Sequence, residues 1–217
     1  MKTIAVTSQK GGSGKTTLAA HLSVEAERTG GGDVWLVDTD KQSTLSQWHS
    51  RREAETPGKL EVPFARLPMG LQTLATQNAA YCFIDTPPTI SEQSKTVIEL
   101  ADLVLIPVRA SPADLWAVAD TVEIVKQANK PFLFIINQAK SQATITAQAV
   151  AALSQHGRVA EKFIVDRVAY AVAMTGGRTA QEIAPKGPAA DEIHALWLII
   201  ISCFNEKSKS ARRNANG

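Results

Sequence analysis

With 217 residues, 44% of them hydrophobic and 20% charged, the chain suits one sizeable α/β domain and requires no second one. Its formal charge of +2 is near neutral, and it holds no 18-residue apolar run, which excludes a membrane-spanning helix of ordinary length. The two cysteines, Cys82 and Cys203, lie far apart with no His or Cys companion at metal-ligand spacing, so both read as core thiols rather than zinc or cluster ligands.

The chain enters an apolar run, Thr3-Ile-Ala-Val-Thr7, at once and without a signal-peptide pattern, so a cytoplasmic protein is expected. That strand leads into Ser8-Gln-Lys-Gly-Gly-Ser-Gly-Lys-Thr-Thr17 and then a helical pattern over about 15 to 29. A polyphosphate needs many donors converging on one concave surface. Gly11, Gly12 and Gly14 let backbone N–H groups approach it without a Cβ in the way. The start of the helix adds unpaired N–H groups and a positive dipole end, the Lys15 ammonium reaches the β and γ phosphates, and the Thr16 hydroxyl is offered to Mg²⁺. Ser13 and Thr17 complete the phosphate-binding set. The segment departs from the strict pattern G-x-x-x-x-G-K-[ST]: Gln9 stands where the first glycine belongs, with Lys10 beside it.

Beyond this loop, Gly30-Gly31-Gly32 stops the first helix, and short β-rich runs alternate with helical patterns. Strands are expected near 33–37, 61–66, 81–85, 102–108 and 131–136, with a weaker one near 159–165. Helices are expected near 43–54, 91–100, 113–128, 144–155 and 188–206. This alternation is the grammar of a doubly wound, mostly parallel sheet flanked by helices. In such sheets, ligands bind beyond the carboxyl ends of the strands. Two strands end there in carboxylates. Val34-Trp-Leu-Val37 runs into Asp38-Thr39-Asp40, and Tyr81-Cys-Phe-Ile84 runs into Asp85-Thr86-Pro87-Pro88. Strand-end aspartates serve equally as caps or solvated turn residues, but beside a phosphate loop they suit the organisation of Mg²⁺ and of an attacking water. The run Leu103 to Trp116 carries the step Ser111-Pro-Ala-Asp114, which reads either as an ordinary capped helix start or as a functional segment.

Charge divides unevenly along the chain. Residues 1 to 129 hold 12 Lys and Arg against 15 Asp and Glu, and residues 130 to 217 hold 11 against 6. The basic later part permits salt-sensitive contact with phosphate backbones, with Lys140, Arg158, Lys162, Arg167 and Arg178 as candidate contacts. Residues 205–217 are polar and basic and read as a disordered tail on a single domain over 1–204.

The segment K-G-G-S-G-K-T-T at 10–17 resembles the deviant phosphate loop of the ParA/MinD family of P-loop ATPases, a SIMIBI-like fold, and most resembles its short plasmid-type ParA members. The resemblance covers residues 1 to about 204. It implies that Lys10 reaches across a dimer interface to the partner's nucleotide. It further implies that Asp38 supports the Mg²⁺ shell, Asp40 positions the hydrolytic water and Asp85 is the Walker B carboxylate. Lys41 stands where the family usually has proline. Asn137 resembles the adenine-contacting asparagine, and Pro185-Lys186-Gly187 the loop that closes over the base. The implied protein is a Mg²⁺-dependent ATPase switch. It pairs with ATP, binds DNA without sequence preference as a nucleoid-associated protein, and segregates or positions a plasmid, chromosome or other cargo. A ParB-like activator or cargo adaptor stimulates its slow hydrolysis. No helix-turn-helix segment precedes the loop, so operator binding is not expected. Two alternatives share the fold. A MinD-like membrane-patterning ATPase needs an apolar C-terminal face that Glu206 to Gly217 lacks. An ATP-dependent metabolic enzyme does not demand Lys10 together with the D-x-D pair.

Overall fold

Six strands lie side by side in the order β3-β2-β4-β1-β5-β6, every pair parallel, in the computed structural model of the chain. The structure describes residues 1–89, 91–140 and 143–215, with the backbone alone for 143 and 207–215. The strands are β1 (Lys2–Val6), β2 (Val34–Asp38), β3 (Gly58–Lys59), β4 (Tyr81–Asp85), β5 (Leu103–Val108) and β6 (Phe132–Ile136). They are joined by α1 (Lys15–Arg28), α2 (Thr44–Ser50), α3 (Leu67–Thr76), α4 (Glu92–Leu100), α5 (Pro112–Trp116), α6 (Val118–Gln127) and α7 (Ala143–Ser154). Then follow α8 (Val168–Thr175), α9 (Ala180–Ile183) and α10 (Pro188–Ala215).

Covered on both faces, the central strands are mostly apolar, and alternate residues feed two cores. Ile4, Val6, Phe83, Leu105 and Ile135 point to the face held by α1, α9 and α10. Ala5, Ile84, Val104, Ile106, Phe134 and Ile136 point to the face held by α3, α4, α6 and α7. Trp197 of α10 is fully buried and meets Tyr81 edge-on, at 5.0 Å between ring centroids. The aligned register places Asp38 level with Asp85, and Asp85 level with Val6, so the carboxyl ends of β2, β4 and β1 open on one side of the sheet.

Several boundaries differ from the sequence expectation. The strand expected over 61–66 is absent. The edge strand is the two-residue β3, and Phe64–Arg66 forms a 3-10 turn into α3, a helix the apolar pattern did not reveal. Pro63 and Pro68 fix the backbone for that turn and helix start rather than for a ladder. The run 159–165 touches β6 only through isolated bridges, Phe134 to Val159 and Ala139 to Val165. The expected 113–128 helix breaks at Ala117, and α2 stops at Ser50 rather than near 54. Helices α8 and α9 were also not foreseen. The last helix continues past 206 to Ala215, since no Gly or Pro interrupts Ala189 to Ala215. Among the described residues, no helix is long and apolar enough to cross a membrane.

Candidate functional site

The chain between β1 and α1 turns on two glycines in the left-handed region, Gly12 at φ 72° and Gly14 at φ 88°. Gly14 is also where a Cβ would collide with Asn137 Nδ2, so conformation and space both demand glycine. Two side chains just past β6 hold the loop from behind. Asn137 Nδ2 donates to the Ser13 carbonyl at 2.7 Å, and Gln138 Nε2 donates to the Gly12 carbonyl at 3.0 Å. With the carbonyls thus engaged, the N–H groups of residues 11 to 16 meet no acceptor among the described residues. Buried Gln9 Nε2 and Ser13 Oγ likewise lack a partner. Converging free donors at a helix start form an anion site.

Lys15 is only 7% exposed. Burial lowers its pKa, and the charges of Asp85 and Asp40 oppose that shift. Thr16 Oγ1 donates to Asp85 Oδ2 at 2.5 Å. Asp85 is 1% exposed, and burial together with the Asp38 and Asp40 charges pushes its pKa up to about 7, against the bonding of Thr16 and the charge of Lys15. Its second oxygen, Oδ1, is buried without a hydrogen-bond partner. A desolvated carboxylate with one orphaned oxygen beside a threonine hydroxyl fits a hydrated cation. No cluster of three or more His, Cys, Asp or Glu among the described residues is placed to hold a metal. A cation here therefore relies on water and ligand phosphates, as Mg²⁺ commonly does.

Asp38 is occupied differently from Asp85. Its Oδ1 accepts from Asp40 N at 3.1 Å and its Oδ2 from Ser46 N at 2.8 Å, so it caps the start of α2. Asp40 accepts through Oδ1 from Gln42 N at 3.0 Å and is half-exposed, with Lys41 exposed beside it. A cleft of about 500 Å³ opens next to them, lined by Asp38, Asp40, Lys41, Lys59 and Leu60 among others.

The structure thus brings together Gly11, Gly12, Ser13, Gly14, Lys15, Thr16, Asp38, Asp40 and Asp85 at the carboxyl ends of β1, β2 and β4. Thr17 and Asn137 line a smaller cleft with Tyr170 and Ile193, but Pro185 is exposed between α9 and α10 and does not line it. Lys10 is half-exposed at the outer rim of the loop. Of the basic candidates, Arg158 pairs with Glu206 at 2.9 Å and Arg167 with Glu192 at 2.7 Å, while Lys140 and Arg178 are exposed and Lys162 is half-buried.

Sequence reasoning missed the supports of this site. His21, fully buried, bonds Thr17 O through Nδ1 at 2.8 Å and accepts from Ala180 N through Nε2 at 3.0 Å, tying the phosphate-loop helix to α9. Arg52 joins the chain after α2 to the α8–α9 turn. It donates to Gly177 O at 2.9 Å and to both Glu182 oxygens, and its guanidinium lies 4.7 Å from the Trp48 ring centroid. Gln138 carried no signal beyond following Asn137.

Comparison with known proteins accords with this geometry. Residues 4–179 match the family model described as the CobQ/CobB/MinD/ParA nucleotide binding domain. The "Maintenance of carboxysome distribution protein A" of Halothiobacillus neapolitanus is 32% identical over 205 residues, 89% of this chain and 94% of that protein. A "Protein ParA" from Rhizobium radiobacter is 23% identical over 225 residues, covering 98% of this chain and 100% of that protein. Among solved structures, the MinC:MinD complex of Aquifex aeolicus gives a TM-score of 0.78 at 17% identity, over 93% of this chain and 96% of that one. Cyanothece apo McdA gives 0.77 at 23% identity, over 93% and 99%. The chain belongs to the CobQ/CobB/MinD/ParA nucleotide-binding family and is an ATPase of the ParA/MinD type.

Proposed function

We propose that the chain is an ATP-dependent dimerisation switch that binds DNA without sequence preference and positions a cargo, with hydrolysis stimulated by a partner protein. The observation that carries this reading is the phosphate loop itself. Its donors are free and its Lys15 is buried between carboxylates, while a second lysine, Lys10, stands at the outer rim. Its position at the rim supports a role toward a nucleotide outside its own loop. Thr16 and Asp85 would hold Mg²⁺, with Asp38 nearby. The ion, when bound, neutralises phosphate charge that the loop alone leaves uncompensated. Asp40, half-exposed beyond β2, would orient the attacking water.

Pairing would gate DNA binding. Of the five candidate contacts, Arg158 and Arg167 are engaged in ion pairs, and joining two copies raises affinity through effective concentration. The named relatives support cargo positioning, one through carboxysome distribution and one through the ParA name. Helix α10 runs on through residues 205–215, in place of the disordered tail expected from 205.

Asp40→Ala tests the reading. It should bind ATP and accumulate as a dimer that holds DNA, with turnover at least tenfold below the parent. Parent-like turnover would remove Asp40 from the chemistry. Lys15→Ala should abolish nucleotide binding, whereas Lys10→Ala should retain it and fail to pair.

A further inference from the structure

A second cleft, of about 650 Å³, lies on the other flank of the phosphate loop. Lys10, Arg109 and Lys140 line it, together with Gln138, Ile145 and Asp166, and none of residues 11 to 16 does. It is therefore separate from the cradle for the chain's own phosphates. Arg109 is fixed here by a clamp. Its Nε and Nη2 donate to Asp114 Oδ1 and Oδ2 at 2.9 and 3.1 Å, and Ser111 Oγ donates to the same carboxylate at 2.5 Å. The Asp114 side chain is 2% exposed and that of Arg109 33%. The remaining nitrogen, Nη1, has no hydrogen bond among the described residues and would stand 3.9 Å from a Cβ placed on Gly12. A guanidinium held rigid by one carboxylate, with a free edge beside Lys10, is preorganised to meet a second anion.

On the wall of this cleft, Ile145 is 46% exposed. Outside the lining, each two residues along the chain from a lining aspartate, Trp116 and Val168 are 79% and 77% exposed. Exposed large apolar side chains close in sequence to a cationic cleft fit a face that meets another protein surface.

We propose that Arg109, positioned by Asp114, contacts the phosphates of the nucleotide held by a second copy of this chain, acting beside Lys10. The inference rests on the dimer reading above and names a further residue of that interface. A two-fold pairing across the carboxyl edge of the sheet sets the outer flank of each phosphate loop against its partner, and this satisfies both cationic clefts at once.

The test compares Arg109→Ala and Arg109→Gln with the parent. ATP affinity is read on dilute, monomeric protein, ATP-dependent pairing by sedimentation, and folding by thermal melts. Glutamine removes the charge yet still donates to Asp114, so it covers the case in which alanine fails to fold. ATP affinity should stay within about twofold of the parent, and the dimer dissociation constant should rise at least tenfold. Asp114→Asn, which leaves the Arg109 charge in place but loosens the clamp, should weaken pairing to a smaller degree. If the parent pairs and Arg109→Gln pairs equally well, the inference alone is overturned. A tenfold loss of monomer ATP affinity would assign Arg109 to its own nucleotide and also overturn it. If the parent does not pair with ATP, the dimer reading falls and this contact falls with it.

Discussion

Replacing Asp85 with Asn should stabilise the nucleotide-free, metal-free protein at pH 8. Burial pushes this carboxyl from an ordinary 3.8 to about 7, so at pH 8 the fold holds a charge that it would rather neutralise. At about 1.4 kcal/mol per pH unit, a gap of roughly three units corresponds to about 4 kcal/mol of destabilisation. The sign follows from protons bound. Between pH 3.8 and 7 the folded state holds a proton that the unfolded state releases, so stability falls as pH rises through that window. That gap already includes the bond from Thr16, for which Asn keeps an acceptor oxygen, so a gain of about 4 kcal/mol is expected at pH 8. At pH 4 the parent's carboxyl is protonated in the folded state and about 40% protonated in the unfolded state, so the charge penalty should shrink to below about 1 kcal/mol. Urea denaturation of both proteins at the two pH values measures this difference. An Asp85→Asn protein less stable than the parent at pH 8, or a difference that ignores pH, would refute the reading of Asp85 as a strained, metal-seeking group.

His21 carries the opposite dependence. Burial lowers its pKa from 6.5 to about 4, so the unfolded state gains a proton first, and in the Asp85→Asn background stability should fall by about 3 kcal/mol as pH drops from 7 to 4. His21→Gln should flatten that slope in the same urea titration. Arg52→Met leaves Glu182 without its ion pair and Gly177 O without its donor, and should cost about 3 kcal/mol by chemical melt. Gly14→Ala forces φ 88° on an L side chain and drives a Cβ into Asn137, so nucleotide binding should fall at least a hundredfold by fluorescence titration while the fold persists.

The residues gathered at the candidate site were readable because each sits at a fixed step from an apolar strand, and the strand fixes where the step points. Gly14, Lys15, Thr16, Asp38 and Asp85 all obey that geometry. Asp38 shows its limit, since its caps on Asp40 and Ser46 depend on how tightly α2 turns back, and no residue type announces that. The supports were hidden because their partners are distant in sequence. Arg52 and Glu182 stand 130 positions apart, and His21 and Ala180 stand 159 apart. Helix α3 escaped detection because Pro68 and Gly70 break its pattern. A Cβ on Gly70 would come within 3.0 Å of the Leu60 side chain, so this glycine lets α3 pack closely there. The false strand over 61–66 arose from Val62 and Phe64 alternating with Glu61, Pro63 and Ala65 where the sheet has already reached its edge.

The most direct measurement is binding of the full chain to non-specific duplex DNA with ATP, ADP or no nucleotide, at low and high salt, with oligomeric state recorded alongside. A salt-sensitive complex formed by a dimer with ATP alone is the expected result. DNA binding of equal strength in all three nucleotide states, or an ATP dimer with no affinity for DNA, would contradict the switch.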